Sequence, residues 1–225
     1  MGYHTEFTGQ VAIVPPLNPH EVEYLDRFAE TRHLHREHGP YVVDGRGLRA
    51  GDVLDPERPP PELPGHWCHW TPSAAGDAVL WNGSEKFRHA EIWLAYLIDT
   101  FLKPGAAVTA ELSDPVVDRF YPPAFEHFTF DHVLNGVIHA EGEEPDDLWR
   151  IDVRDNVVHV VHAVEFPGYD EIDPRDPAEW TPVQWAEYEA RALRNHLYVV
   201  DGGEVRALGP ARDWGFAPVG GRPGA

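Results

Sequence analysis

The order of its hydrophobic periodicities is the feature that most constrains the fold of this chain. Residues Phe7–Val14 alternate between apolar and polar positions as a strand does, and a helical pattern then begins at Asn18, the expected N-cap. Two strand-like segments, WCHWTP and DAVLWNG, precede a second and stronger helical pattern, which we predict over Ser84–Lys103. The order strand, helix, two strands, helix, strand is that of the split βαβ arrangement.

Three strand-like segments follow the second helical pattern: HVLNGVIHAE, LWRIDVR and VVHVVHAV. The dipeptide Asp155-Asn156 joins the last two and predicts a hairpin. We therefore expect an α+β fold, with an antiparallel sheet built on a split βαβ (ferredoxin-like) core and a C-terminal helix-hairpin extension.

A short repeat links the two halves of the chain. YVVDGRGLRA at 41–50 recurs as YVVDGGEVRA at 198–207, and each copy follows a segment with a helical pattern. Two explanations stay open: a duplicated helix-hairpin unit, or two ordinary hairpins that share good turn chemistry.

Composition divides the chain into three predicted parts. Residues 1–165 are expected to form the core domain, with an irregular, proline-rich insertion near 35–64. Residues 166–216 are expected to add a helix and a hairpin that pack on the core, and 217–225 to form a disordered tail.

The net charge of the chain makes anionic partners unfavourable. The chain has 38 acidic and 18 basic side chains, a formal net charge of -20, which disfavours direct binding to nucleic acid or anionic membranes. No apolar run approaches the roughly 18 residues that a membrane helix needs, and we expect a cytoplasmic protein. The single cysteine, Cys68, rules out an internal disulfide.

The stretch EGEEPDDLWRIDVRDN concentrates carboxylates, which are the ligands that hard divalent cations prefer. The candidate ligands are Glu141, Glu143, Glu144, Asp146 and Asp147. Their spacing does not match an EF-hand, and a solvated turn between strands is the competing interpretation.

Aromatic side chains and histidines form a second candidate site. We expect a partner or ligand contact at the junction of a strand with the second helix, involving Trp67, Trp70, Trp81, Glu85 and Lys86. His66 and His69 are the candidate acid/base residues.

Two segments, MGYHTEFTG at the N-terminus and EGEEPDDLWRIDVRDN, resemble a family of small uncharacterised actinobacterial and phage proteins. The resemblance ends near residue 165. It implies a cytosolic protein of bacterial or phage origin and supplies no catalytic residues.

The sequence contains no P-loop, no Rossmann glycine pattern, no HExxH motif and no serine nucleophile elbow. We therefore expect a non-catalytic, acidic interaction protein that binds a protein partner and needs no organic cofactor. The alternative is a hydrolase that depends on a divalent cation held by the acidic 141–147 loop. Self-association into a homo-oligomer is compatible with either function.

Overall fold

A computed structural model describes residues 3–45, 51–143, 147–162, 172–192 and 196–210. Ten strands occur in the described residues: β1 (Thr5–Val14), β2 (His35–Arg36), β3 (Val53–Asp55), β4 (Trp70–Pro72), β5 (Ala78–Trp81), β6 (Val133–Gly142), β7 (Leu148–Arg154), β8 (Val157–His162), β9 (His196–Asp201) and β10 (Glu204–Pro210). The α-helices are α1 (Pro19–Glu30), α2 (Ala90–Leu97), α3 (Ala107–Ser113) and α4 (Pro182–Ala192). Short 3-10 helices cover Pro123–His127 and Pro177–Glu179.

Eight of these strands form one antiparallel sheet in the order β10-β9-β8-β7-β6-β1-β5-β4. The longest pairing joins β1 to β6 and runs from Thr5 opposite Gly142 to Val14 opposite Val133. A large antiparallel sheet with few helices confirms the α+β class. β1 and β6, which are far apart in sequence, lie side by side near the middle of the sheet.

Helix α1 begins where the sequence predicts. The Asn18 side chain accepts hydrogen bonds from the backbone N–H groups of His20 and Glu21, and the Glu21 carboxylate accepts one from the Asn18 N–H. This reciprocal capping box satisfies N–H groups that the first helical turn leaves without partners. The spacing of Val22, Leu25 and Ala29 predicts the buried face of this helix; Leu25 and Ala29 are buried, and Val22 is partly buried.

Helix α2 is shorter than predicted at its N-terminal end. It begins at Ala90, and the prediction that the helix starts at Ser84 is wrong. Lys86 and His89 have φ angles of 60° and 57°, which a right-handed helix does not allow. At the other end a π-helical turn, Ile98–Leu102, continues the helix. The predicted buried side is correct and comprises Trp93, Leu94, Leu97, Ile98 and Phe101.

The two faces of β1 and β6 have different environments. Phe7, Val11 and Ile13 are buried in the core on one face, while the alternate residues of β1 are exposed on the other. Aromatic contacts join the helices within that core, including Tyr24 of α1 with Phe101, whose ring centroids lie 5.5 Å apart. We call the opposite, solvent-exposed face of β1 and β6 the outer face.

The predicted irregular insertion near 35–64 contains a small sheet of its own, in which β2 pairs with β3. Arg36 is buried there and forms ion pairs with Asp44 and Asp52, each at 2.8 Å. A buried guanidinium needs such partners, and these ion pairs join the start of the insertion to its middle.

The predicted hairpin at Asp155-Asn156 is confirmed. Both residues have positive φ angles, 48° and 70°, which a tight two-residue hairpin turn requires, and Arg154 pairs with Val157. The two copies of the repeat differ in structure. The described part of the first copy, 41–45, contains no strand, whereas the second spans β9 and part of β10. Residues 46–50, 163–171 and the predicted tail, 217–225, lie outside the described residues.

Among the described residues, no helix is both long and apolar enough to cross a membrane.

Candidate functional site

The start of β1 lies at the same end of the sheet as the acidic stretch. Tyr3 donates a hydrogen bond from its hydroxyl to the Asp147 carboxylate, and the His4 backbone N–H donates to Glu143 Oε1 at 3.0 Å. The two segments whose sequences carry the family resemblance are therefore in direct contact. Glu144 and Asp146 lie outside the described residues.

His4 also connects this end of the sheet to the loop before α2. The Lys86 backbone N–H donates to His4 Nδ1 at 3.4 Å, and the His4 and Trp81 rings lie 6.0 Å apart. Because Nδ1 accepts this bond, a neutral His4 ring carries its proton on Nε2. The structure thus brings together parts of two candidate sites that the sequence treats separately. Glu85 and Lys86 are exposed in that loop rather than in the first turn of α2.

The predicted aromatic site divides into core and surface residues. Trp70 is buried, and its indole N–H donates to the Ala90 carbonyl at 2.7 Å. Phe7 contacts Trp70 and Trp81 edge to face at 5.5 and 5.8 Å. Trp67 and Trp81 are only partly buried. They are the two tryptophans of the predicted site whose surfaces a partner can reach.

His66 and His69 differ in their surroundings. Both ring nitrogens of His66 contact backbone carbonyl oxygens, at 2.9 Å to His33 and 3.1 Å to Glu57. His69 packs against the Phe87 ring at 5.0 Å, and its Nδ1 is buried without a hydrogen-bond partner in the described part of the chain. Burial lowers the pKa of His69, so its ring is neutral at pH 7.

Cys68 lies between these histidines in sequence and is fully buried. Burial raises the pKa of its thiol to about 12, so the thiolate that a nucleophile or a zinc ligand requires is disfavoured at neutral pH. Its thiol contacts the Trp70 carbonyl oxygen at 3.8 Å.

Two carboxylates that face each other are the most unusual feature of the outer face. Glu6 of β1 lies directly opposite Glu141 of β6, and both side chains are exposed. Like charges at directly opposed positions of an antiparallel pair destabilise a sheet. The next opposed pair on this face is Thr8 and His139.

These four residues line a cleft of about 260 Å³, which Leu148 and Trp149 help to enclose. Leu148 lies directly opposite Glu141 and adds apolar surface to the polar and acidic side chains, whereas the Trp149 ring packs against Phe7 on the core face. We call it the Glu6/Glu141 cleft. Within the residues that the structure describes, no group of three or more histidine, cysteine, aspartate or glutamate side chains is arranged to hold a metal ion.

Sequence reasoning identified Glu141 as a candidate but missed Glu6, Thr8 and His139. The alternation of TEFTGQVAIV places Glu6 and Thr8 opposite in direction to Phe7, and this much could have been predicted. The pairing of β1 with β6, and its register, cannot be obtained from either strand alone.

Comparison with known protein families, with curated proteins and with solved structures gives no match for this chain.

Proposed function

We propose that this chain is a non-catalytic interaction protein that binds a basic protein partner through the outer face of β1 and β6. One observation carries the proposal: Glu6 and Glu141 are exposed directly opposite each other in a cleft that Leu148 also lines. A guanidinium or ammonium group between the two carboxylates would convert their repulsion into attraction. The apolar surface of Leu148 suits the methylene stem of an arginine or lysine.

The whole-molecule charge supports the same class of partner. A net charge of -20 attracts a basic protein over distances longer than the contact itself and raises the rate of encounter. Trp81 and the described acidic residues Glu143 and Asp147 surround the adjoining end of the sheet. They extend the surface that a partner can contact beyond the cleft.

Affinity capture with variant baits tests the proposal. The full chain, its Glu6→Gln/Glu141→Gln variant and a Glu23→Gln/Glu30→Gln control serve as baits in a bacterial lysate. The control removes the same charge from exposed positions of α1. We expect a basic protein that the wild type and the control retain and that the cleft variant loses by about tenfold or more. Equal capture by all three baits would contradict the proposal.

The free protein offers an independent test of the cleft. Because the opposed carboxylates repel, Glu141→Gln is expected to raise the free energy of unfolding by about 0.2–1 kcal/mol. Added salt should reduce this gain, since it screens exposed charges. Urea unfolding of the wild type, Glu141→Gln and Glu30→Gln at two salt concentrations measures the effect. A loss of stability in Glu141→Gln would show that the two carboxylates do not repel as their register indicates.

The metal-dependent hydrolase remains a prediction, with the 141–147 loop as its cation site and His66 or His69 as its acid/base residue. A thermal shift series with Mg²⁺, Ca²⁺, Mn²⁺ and Zn²⁺ tests it, because an ion that binds the folded state raises the melting temperature. A shift for one ion that Glu143→Ala or Asp147→Ala abolishes would favour the hydrolase.

We further propose that β1, α1, β4, β5, α2 and β6 form a split βαβ (ferredoxin-like) core, with α4, β9 and β10 as a C-terminal helix-hairpin extension. The antiparallel order β6-β1-β5-β4 supports the core, because it is the strand order of that arrangement. The two-segment resemblance supports a bacterial or phage origin and a cytoplasmic location.

A further inference from the structure

A separate cavity of about 450 Å³ lies between α2, the segment 61–64 and the turn that joins β9 to β10. This volume is in the range of small-molecule sites, about 300–1,000 Å³. Ile92, Ala95 and Tyr96 line it from α2, at the spacing of residues on one helix face. Gly202 and Gly203 also line it, and among the described residues beyond their chain neighbours no atom lies within 4 Å of where a Cβ at either glycine would stand.

The walls of this cavity combine apolar surface with negative charge. Leu63 and Ile92 supply aliphatic surface, and Tyr96 supplies an aromatic ring. The charged groups among the described lining residues are the carboxylates of Glu62 and Asp99, and none of those residues is lysine, arginine or histidine. This composition favours a ligand with an apolar body and a positive charge.

Each of the two carboxylates forms an ion pair with a basic side chain that is not among the lining residues. Glu62 Oε1 contacts Arg119 at 2.9 Å, and Asp99 Oδ1 contacts Lys103 at 2.7 Å. Within the described ranges, Glu62 Oε2 and Asp99 Oδ2 accept no hydrogen bond. Both side chains are partly exposed, so a ligand can reach them without unfolding the site.

We propose that this cavity binds a small amphipathic cation, an organic amine whose apolar body lies against Ile92 and Ala95 and whose ammonium faces Glu62, Asp99 and the Tyr96 ring. An ammonium over an aromatic face gains about 0.5–2 kcal/mol, and nearby carboxylates add to this attraction.

Tyr96 contributes through its ring rather than through its hydroxyl. The hydroxyl is buried and has no hydrogen bond of standard geometry among the described residues. The nearby Thr100 side chain has a minor effect on its pKa, which it lowers. Burial, with Tyr41 and the carboxylates of Glu62 and Glu111, raises the pKa of Tyr96 well above its usual value. The side chain therefore remains a neutral phenol and carries no charge toward the ligand.

The test uses three probes with a common benzene body: phenethylamine, 2-phenylethanol and 3-phenylpropionate. Each is titrated against the full chain by NMR, with chemical-shift changes as the readout. We expect phenethylamine to bind about tenfold more tightly than the alcohol, and the carboxylate not to bind. No shift with millimolar phenethylamine, or equal binding of amine and alcohol, would overturn the proposal.

Two variants locate the binding. Glu62→Gln/Asp99→Asn should remove the preference for the amine over the alcohol, whereas the Glu23→Gln/Glu30→Gln control should keep it. Ala95→Leu should abolish binding of both because it fills the cavity, and far-UV circular dichroism verifies that each variant is folded. Unchanged amine binding in the folded charge variant would also overturn the proposal.

Discussion

At the scale of single residues, Glu21 and His132 form a buried pair whose stability depends on the protonation state of both side chains. Both side chains are fully buried, and His132 Nε2 lies 3.2 Å from Glu21 Oε1. His132 Nδ1 lies 2.7 Å from the Pro15 carbonyl, so an acceptor faces each ring nitrogen. The Thr129 backbone N–H and the Asn18 backbone N–H also donate to Glu21, each at 2.7 Å. The Thr129 hydroxyl also lies 3.1 Å from His132 Nε2, and this geometry suits an imidazolium beside a carboxylate.

The pKa values of this pair shift in the directions that an ion pair requires. Burial lowers the pKa of His132, but hydrogen bonds to Glu21 and the Pro15 carbonyl outweigh burial and raise it above 6.5. Asp131, at 4.0 Å, adds a smaller effect in the same direction. Burial raises the pKa of Glu21, but hydrogen bonds from His132, Thr129 and Asn18 lower it below 4.5.

These directions predict a pH window for stability. The contribution of His132 is complete below pH 6.5 and is lost as pH rises through its raised pKa. The contribution of Glu21 is present above pH 4.5 and is lost as pH falls through its lowered pKa. The pair therefore stabilises the protein most between pH 4.5 and 6.5.

Glu21→Gln should lower the free energy of unfolding by about 3–5 kcal/mol near pH 5.5, because it leaves a buried charge without its partner. The free energy of unfolding of the wild type should decrease between pH 6.5 and pH 9 because the buried pair loses its charge. In Glu21→Gln this decrease should be smaller. Urea unfolding across pH measures both effects, and Glu23→Gln, at an exposed position of the same helix, is the control. An unchanged pH profile in Glu21→Gln would show that the pair is not ionised.

Cys68 is predicted to be unreactive in the folded protein. It is fully buried, and its thiol pKa of about 12 keeps it protonated at pH 8. Iodoacetamide labelling followed by mass spectrometry should show modification in urea and almost none in buffer. Labelling of the folded protein at the rate of a free thiol would mean that Cys68 is accessible.

At the scale of elements, Asn156 joins the β7–β8 turn to the start of β6. Its side-chain oxygen accepts a hydrogen bond from the Leu134 N–H at 2.7 Å, and its amide donates to the His132 carbonyl at 3.0 Å. Its φ of 70° is one that asparagine tolerates better than alanine does. Asn156→Ala should therefore lower the free energy of unfolding by about 2–3 kcal/mol.

Thermal or urea unfolding checks this prediction, with Asn135→Ala as the comparison. Asn135 is exposed on β6 and also bonds to the turn, through Asp155, but it has no positive φ angle. A loss in Asn156→Ala no greater than that in Asn135→Ala would contradict the special role of the Asn156 side chain.

Local signals in the sequence predicted local structure well. The capping residues of α1, the buried side of α2 and the Asp155-Asn156 turn each depend on neighbours a few residues apart. The start of α2 was not predictable, because the left-handed conformations of Lys86 and His89 oppose the usual preference of those residues.

The other features of the candidate site depend on long-range strand pairing, which the sequence alone does not predict. Glu6 and Glu141 are 135 residues apart, and a one-residue change of register would separate them onto opposite faces. The contact of His4 with Lys86 likewise depends on how β1 inserts between β5 and β6. Glu141 could be predicted as a candidate from its acidic stretch, whereas its position opposite Glu6 could not.

At the scale of the whole molecule, the net charge of -20 and the 14 histidines predict an association state that depends on pH. Histidines of ordinary pKa gain charge between pH 7 and pH 5 and reduce the repulsion between copies. Burial lowers the pKa of His33 to about 3 and also lowers those of His69, His159 and His162, so these four contribute less. Sedimentation velocity should still show greater association at pH 5 than at pH 7, and identical profiles would contradict the prediction.

The most direct test of the proposed function is the affinity of the captured basic partner for the Glu6/Glu141 cleft. Isothermal titration calorimetry compares the wild type, Glu6→Gln/Glu141→Gln and the Glu23→Gln/Glu30→Gln control at low and high salt. We predict that the cleft variant loses at least about tenfold in affinity and much of the salt dependence, while the control retains most of both. Equal losses in the two variants would mean that total charge, rather than the opposed carboxylates of β1 and β6, determines binding.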